Sequence, residues 1–208
     1  MRNAALIFVL VGATLLSVPS IAAGDSHLVI RTYDVTSQPD ADRAAAVAAA
    51  RAILEGAGLN IVWAACDRVG ARDADHPCLT RLGPNEISVR LVRLAASPGT
   101  RQPTLGYSLV DTRGRTGALA TIYVDRVAAL AGSAAMDVPT VLGRAIAHEV
   151  GHLLLGTAEH SRTGVMRAAW SPIVLRRHQP GDWQFSAHDA QALREALQRR
   201  TPIQLVSN

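Results

Sequence analysis

Apolar and polar positions change their spacing several times along the chain, and each change marks an element. His27 to Val35 (HLVIRTYDV) alternates and is rich in β-formers, which predicts a first strand. From Asp40 to Leu54 the period lengthens. Val47, Ala50 and Leu54 then share one side of a helix that Asp40 can cap and that Gly56 and Gly58 can stop. Asn60 to Ala65 (NIVWAA) predicts a second strand and Glu86 to Leu94 (EISVRLVRL) a third, with Ile87, Val89 and Leu91 set against Arg90 and Arg93. Thr104 to Val110 and Ala118 to Val127 predict two more, joined by a glycine-containing turn at Arg113 to Gly117. A long helix follows, capped by Asp137 or Thr140 and running to Leu155, with Leu142, Ile146, Val150 and Leu153 as its core stripe. An irregular stretch leads to a last helix, where Ser186 and Asp189 form a capping box and Pro202 marks the end. The order is strand, helix, four strands, helix, irregular segment, helix: a mixed α/β (α+β) domain of about five strands, without the strict alternation of a doubly wound sheet.

The first residues follow a different pattern. Arg2 is the one charge before a nearly unbroken apolar run from Ala4 to Leu16, and the small residues Ala22, Ala23 and Gly24 come after it. This is the build of a secretory signal peptide, so residues 1–23 are read as an address and 24–208 as one domain. The mature protein is expected to be secreted or periplasmic, with no part in the membrane. Export bears on Cys66 and Cys78, the two cysteines of the chain, which flank a polar loop. In an oxidising compartment such a pair forms a disulfide. A metal site of Cys66, His76 and Cys78 is the alternative, and it lacks a fourth ligand.

Composition narrows the function further. With 49% hydrophobic and 18% charged residues the chain is not a disordered one. The formal charge of +4 is small and scattered, so nucleic acid is not an expected partner. Arg162, Arg167, Arg176 and Arg177 make a solvated basic face or a preference for acidic substrates.

The chemistry concentrates in residues 148–166, HEVGHLLLGTAEHSRTGVM. His148 and His152, four apart on a helix, point from one face and can meet one zinc ion. Glu149 lies at the edge of that face, where it can reach a water on the metal without ligating the ion, as a general base must. A catalytic zinc takes a third protein ligand and keeps an open fourth position. Gly156 permits a left-handed helix stop, so the chain can fold back and bring His160 to the metal; Glu159 is the alternative third ligand. Gly164, Val165 and Met166 can turn beneath the site and place a sulfur there. Trp63 is expected in the core, Trp170 and Trp183 in a pocket wall or in packing. His27, His76, His178 and His188 are read as surface or capping residues.

At these positions the sequence resembles the metzincin metallopeptidases, with the matrixin branch nearest in texture. The matching residues are His148, Glu149, His152, Gly156, His160, Ser161 and Met166. The spacing is HExxHxxxGxxxH, one residue longer on each side of the glycine than the usual HExxHxxGxxH. The tyrosine that some branches carry just after the methionine is missing: Arg167, Ala168, Ala169 and Trp170 follow instead. Transition-state stabilisation is thereby left to the metal, a backbone group or an arginine.

The resemblance implies a zincin-like single domain with one catalytic zinc, which hydrolyses peptide bonds in a substrate lying extended along an edge strand. The expected partner is a peptide or protein substrate, and the chain is expected to act as a monomer. Two other readings remain: a zinc hydrolase of a narrow amide or cell-wall peptide, and a non-catalytic zincin-like module that binds peptide.

Overall fold

Five strands assemble into one mixed sheet in the order β2-β1-β3-β5-β4. They are β1 (His27–Asp34), β2 (Asn60–Ala65), β3 (Glu86–Val92), β4 (Gly106–Asp111) and β5 (Thr116–Tyr123). The computed structural model describes residues 26–67, 76–94, 104–177, 179 and 181–200. The signal-peptide reading, His178 and Pro202 fall outside the described residues. Neighbouring strands are parallel except at β4, which runs antiparallel to β5 and forms one edge. β4 is thus the edge strand on the side of the β4–β5 hairpin.

The hairpin between β4 and β5 follows from Asp111, whose carboxylate accepts the backbone N–H groups of Arg113 and Gly114 and closes the turn. One face of the sheet carries Leu28, Ile30, Ile87, Val89, Leu91, Ala120 and Ile122, all buried. Against it lie α1 (Asp40–Gly56) and α3 (Val138–Leu155). Gly143 lets the two helices approach, because a Cβ there would meet the Ala49 methyl at 2.5 Å and the Ala46 carbonyl at 2.7 Å.

Three elements differ from the expectation. The apolar run Ala118–Val127 is not one strand: the chain leaves β5 at Tyr123 and turns at once into α2 (Val124–Ser133). The buried stripe Val124, Val127 and Ala131 has helical spacing, but only its first two residues fall within the run, and so short a stretch carries no periodicity that separates strand from helix. The irregular stretch contains one short helix, α4 (Pro172–Leu175), before α5 (Ala187–Arg200). Asp40 begins α1 without capping it; its carboxylate pairs with Arg43 at 2.8 Å instead. Asp137 does cap α3, accepting from Thr140 N–H at 2.8 Å, and Ser186 Oγ accepts from Asp189 N–H at 3.0 Å ahead of α5.

Cys66 and Cys78 are bonded, tying the end of β2 to a short 3₁₀ turn at Pro77–Leu79. The segment that leaves this turn covers Arg31, which is buried. Its guanidinium donates to the carbonyls of Thr80 and Arg81 and pairs with Glu86. A buried cation needs such partners, and that segment supplies most of them. The double variant Cys66→Ser/Cys78→Ser is expected to lose about 2–3 kcal/mol of stability through the freed unfolded chain. Urea unfolding of the oxidised protein and the variant measures it.

Candidate metal centre

Helix α3 is buried from Val141 through Leu154, on every side and not along a single stripe. The sheet, α1, α2 and α5 surround it. Its few polar side chains must therefore find partners or face a cavity. The Arg144 guanidinium carbon stands over the Trp183 ring, 4.1 Å from its centre, and the group donates to the Leu175 carbonyl at 3.4 Å. The other three are His148, Glu149 and His152, and they line a cavity of about 990 Å³.

The two helix imidazoles are oriented from behind. His148 Nδ1 lies 2.8 Å from the Val165 carbonyl and His152 Nδ1 2.8 Å from the Thr157 carbonyl. A carbonyl can only accept, so each Nδ1 carries the proton and each Nε2 presents a lone pair. Those two Nε2 atoms stand 3.1 Å apart. Two lone pairs so placed repel, and a cation between them removes the repulsion. Zn–N bonds of about 2.0–2.1 Å at a tetrahedral angle put two nitrogens about 3.3 Å apart, close to this spacing.

His160 completes the group. The helix ends at Gly156, which has φ 64° and ψ 37°, and its N–H closes on the His152 carbonyl at 3.0 Å. A Cβ at Gly156 would run into the backbone of Arg115 at the tip of the β4–β5 hairpin, so the position requires glycine twice over. The chain then reverses and is pinned where Ser161 N–H donates to the Met166 carbonyl at 2.8 Å. One ligand atom from each of His148, His152 and His160 lies within 4.8 Å of the others. The extra residue before the glycine extends α3, which runs to Leu155, and the extra one after it falls in this reversal. Glu159 is exposed and stands outside the group.

Met166 is buried beneath the site, and Gly151 makes room for it: a Cβ there would meet Met166 Sδ at 2.6 Å and the Phe185 ring at 2.8 Å. Gly164, with φ 74°, makes the turn that delivers both Met166 and the Val165 carbonyl. Trp170 meets His148 edge to face at 5.6 Å and Trp183 at 5.0 Å. Its indole N–H donates to the Arg167 carbonyl, so it serves the cavity as an apolar wall. Trp183 is buried packing behind it, and Trp63 is half-buried against the core with its N–H on Thr32. Of the remaining histidines, His27 is exposed, His76 caps the 3₁₀ turn by accepting from Cys78 N–H and His188 is exposed.

Burial decides the protonation of the site. It pushes His148 down to about 4, against the bond to Val165 and with help from the neighbouring imidazoles, and it lowers His152 and His160 as well. Three neutral imidazoles are the state a divalent borderline metal binds, and the donor set fits zinc. Burial also raises Glu149 to about 7, a shift that the Ser108 hydroxyl partly opposes.

No protein-family model matches the sequence, and none of the curated proteins compared with it does. Among solved structures, the archaemetzincin of Methanopyrus kandleri is similar: TM-score 0.53 at 16% identity, covering 84% of this chain and 97% of that one. The chain has a zincin-like fold. That agrees with the mixed sheet, the active-site helix and the C-terminal helix expected from the sequence.

Sequence reasoning did not find the groups that aim the site. Ser108 touches Glu149, and the Val165 and Thr157 carbonyls hold the two helix histidines. A carbonyl leaves no mark in a sequence, but Gly151 within HExxH and Gly156 after it do. Gly151→Ala is expected to cost about 1–3 kcal/mol by forcing Met166 and Phe185 off α3, and to weaken zinc binding by moving the turn that carries the Val165 carbonyl. Thermal unfolding, together with zinc competition against a chromophoric chelator, checks both effects.

Proposed function

We propose that this protein is an exported zinc-dependent endopeptidase. The observation that carries the reading is the convergence of three neutral imidazoles beside a buried carboxylate, on a cavity that opens along the edge strand β4. His148, His152 and His160 would hold one zinc ion. Bound there, zinc supplies a Lewis acid that acidifies water and polarises a carbonyl.

The chain's own groups account for the rest. An extended peptide pairs with the free edge of β4 by backbone hydrogen bonds, which fixes its scissile carbonyl over the cavity. Glu149 takes a proton from the attacking water and returns it to the leaving amine. Its low exposure and raised pKa suit both halves of that exchange, because a group near 7 gives and takes a proton at comparable cost. Trp170 and the buried flank of α3 keep bulk water from the reacting atoms.

Glu149→Gln is expected to retain one zinc per chain and to lose about 10²–10⁴-fold in peptide hydrolysis. Metal analysis and a peptide-library assay test this together, and cleavage at the wild-type rate would remove Glu149 as the base. His160→Ala is expected to lose most of the metal. Zinc retained at full stoichiometry in that variant would move the third ligand elsewhere. Activity confined to one narrow amide would favour the restricted hydrolase over the endopeptidase.

A further inference from the structure

Gly106 and Ser108 lie two residues apart on β4 and so face the same way, toward Glu149. A Cβ at Gly106 would sit 3.1 Å from Glu149 Oε1 and 2.6 Å from the Thr121 carbonyl, so the glycine leaves the space that the carboxylate fills. The Ser108 hydroxyl stands 2.7 Å from Glu149 Oε2 and 2.8 Å from the Glu149 main-chain carbonyl. It holds one proton between these two acceptors, which ties the head of the side chain back to its own backbone. Glu149 Oε1 accepts no hydrogen bond among the described residues, and the carboxylate borders the cavity.

We infer that Ser108 is the positioning residue for Glu149, occupying Oε2 so that Oε1 alone faces the reacting water. The inference rests on the peptidase reading of the site. A glutamate side chain has three rotatable bonds and, without a partner, spreads over several rotamers. A positioned base acts only within hydrogen-bond reach of the proton it takes, so a carboxylate shared among rotamers spends part of its time out of reach. The hydroxyl comes from the strand on which the peptide would pair. Substrate alignment and base alignment therefore share one element.

The test compares wild type, Ser108→Ala and Ser108→Thr as mature, zinc-loaded protein. Threonine keeps the hydroxyl and suits a strand. Crystal structures are expected to show Glu149 in one rotamer in wild type and Ser108→Thr, and spread over two or more in Ser108→Ala. With a peptide that the wild type cleaves, Ser108→Ala is expected to lose about 10–100-fold in kcat, with KM and zinc content unchanged, and Ser108→Thr to recover most of it. A single unmoved Glu149 rotamer in Ser108→Ala overturns the inference. So does an unchanged kcat, or a loss that follows falling zinc content. A wild type that holds zinc and cleaves no peptide overturns the peptidase reading, and the rotamer comparison still decides the role of Ser108.

Discussion

Burial of α3 on all sides is the constraint from which the rest of the site follows. An apolar helix surrounded by protein can carry a polar side chain only where that group is matched, and this one carries Arg144, His148, Glu149 and His152. The matching partners come from different layers. The sheet edge supplies Ser108, the loop after the helix supplies the Thr157 and Val165 carbonyls, and the segment before α5 supplies Trp183. Each contact satisfies a buried polar group and also fixes a direction. The two helix imidazoles turn their Nε2 atoms toward one point because their Nδ1 atoms are already committed.

The same constraint explains the glycines. Gly143, Gly151 and Gly156 each stand where another part of the molecule comes within contact of the helix backbone: α1, Met166 with Phe185, and the β4–β5 hairpin tip. A larger residue at any of them would separate layers that the site needs in contact. The region between α3 and α5, irregular apart from the short α4, is held by side-chain contacts. Arg144 and Arg167 approach the Trp183 ring, at 4.1 and 5.5 Å, and Arg167 also pairs with Asp182 at 3.6 Å.

Legibility in the sequence followed the kind of interaction. His148, Glu149 and His152 declare themselves by helical spacing, Gly156 by its conformational freedom, and the disulfide by two isolated cysteines flanking a polar loop. His160 could be reached because Gly156 implies a reversal. What stayed hidden was tertiary. Val124–Ser133 forms a helix where an apolar run suggested the end of a strand, because only Val124 and Val127 of its buried stripe fall within that run, too few to show a helical period. Arg31 carries no sequence mark of burial, yet it is covered by Thr80 and Arg81, just after the disulfide-bonded turn. Ser108 is an ordinary serine in a strand until the helix that it faces is known.

The three imidazoles lie close together in the chain, between positions 148 and 160, and the turn that fixes His148 follows at Gly164–Met166. Joining them takes only short loop closures, which carry little entropic penalty. Glu149, by contrast, meets Ser108 across some forty intervening residues. Assembly of the three imidazoles is therefore a local event in folding, whereas alignment of the carboxylate waits for the sheet edge to close over the helix. A folding chain thus gathers its imidazoles before it aligns its carboxylate.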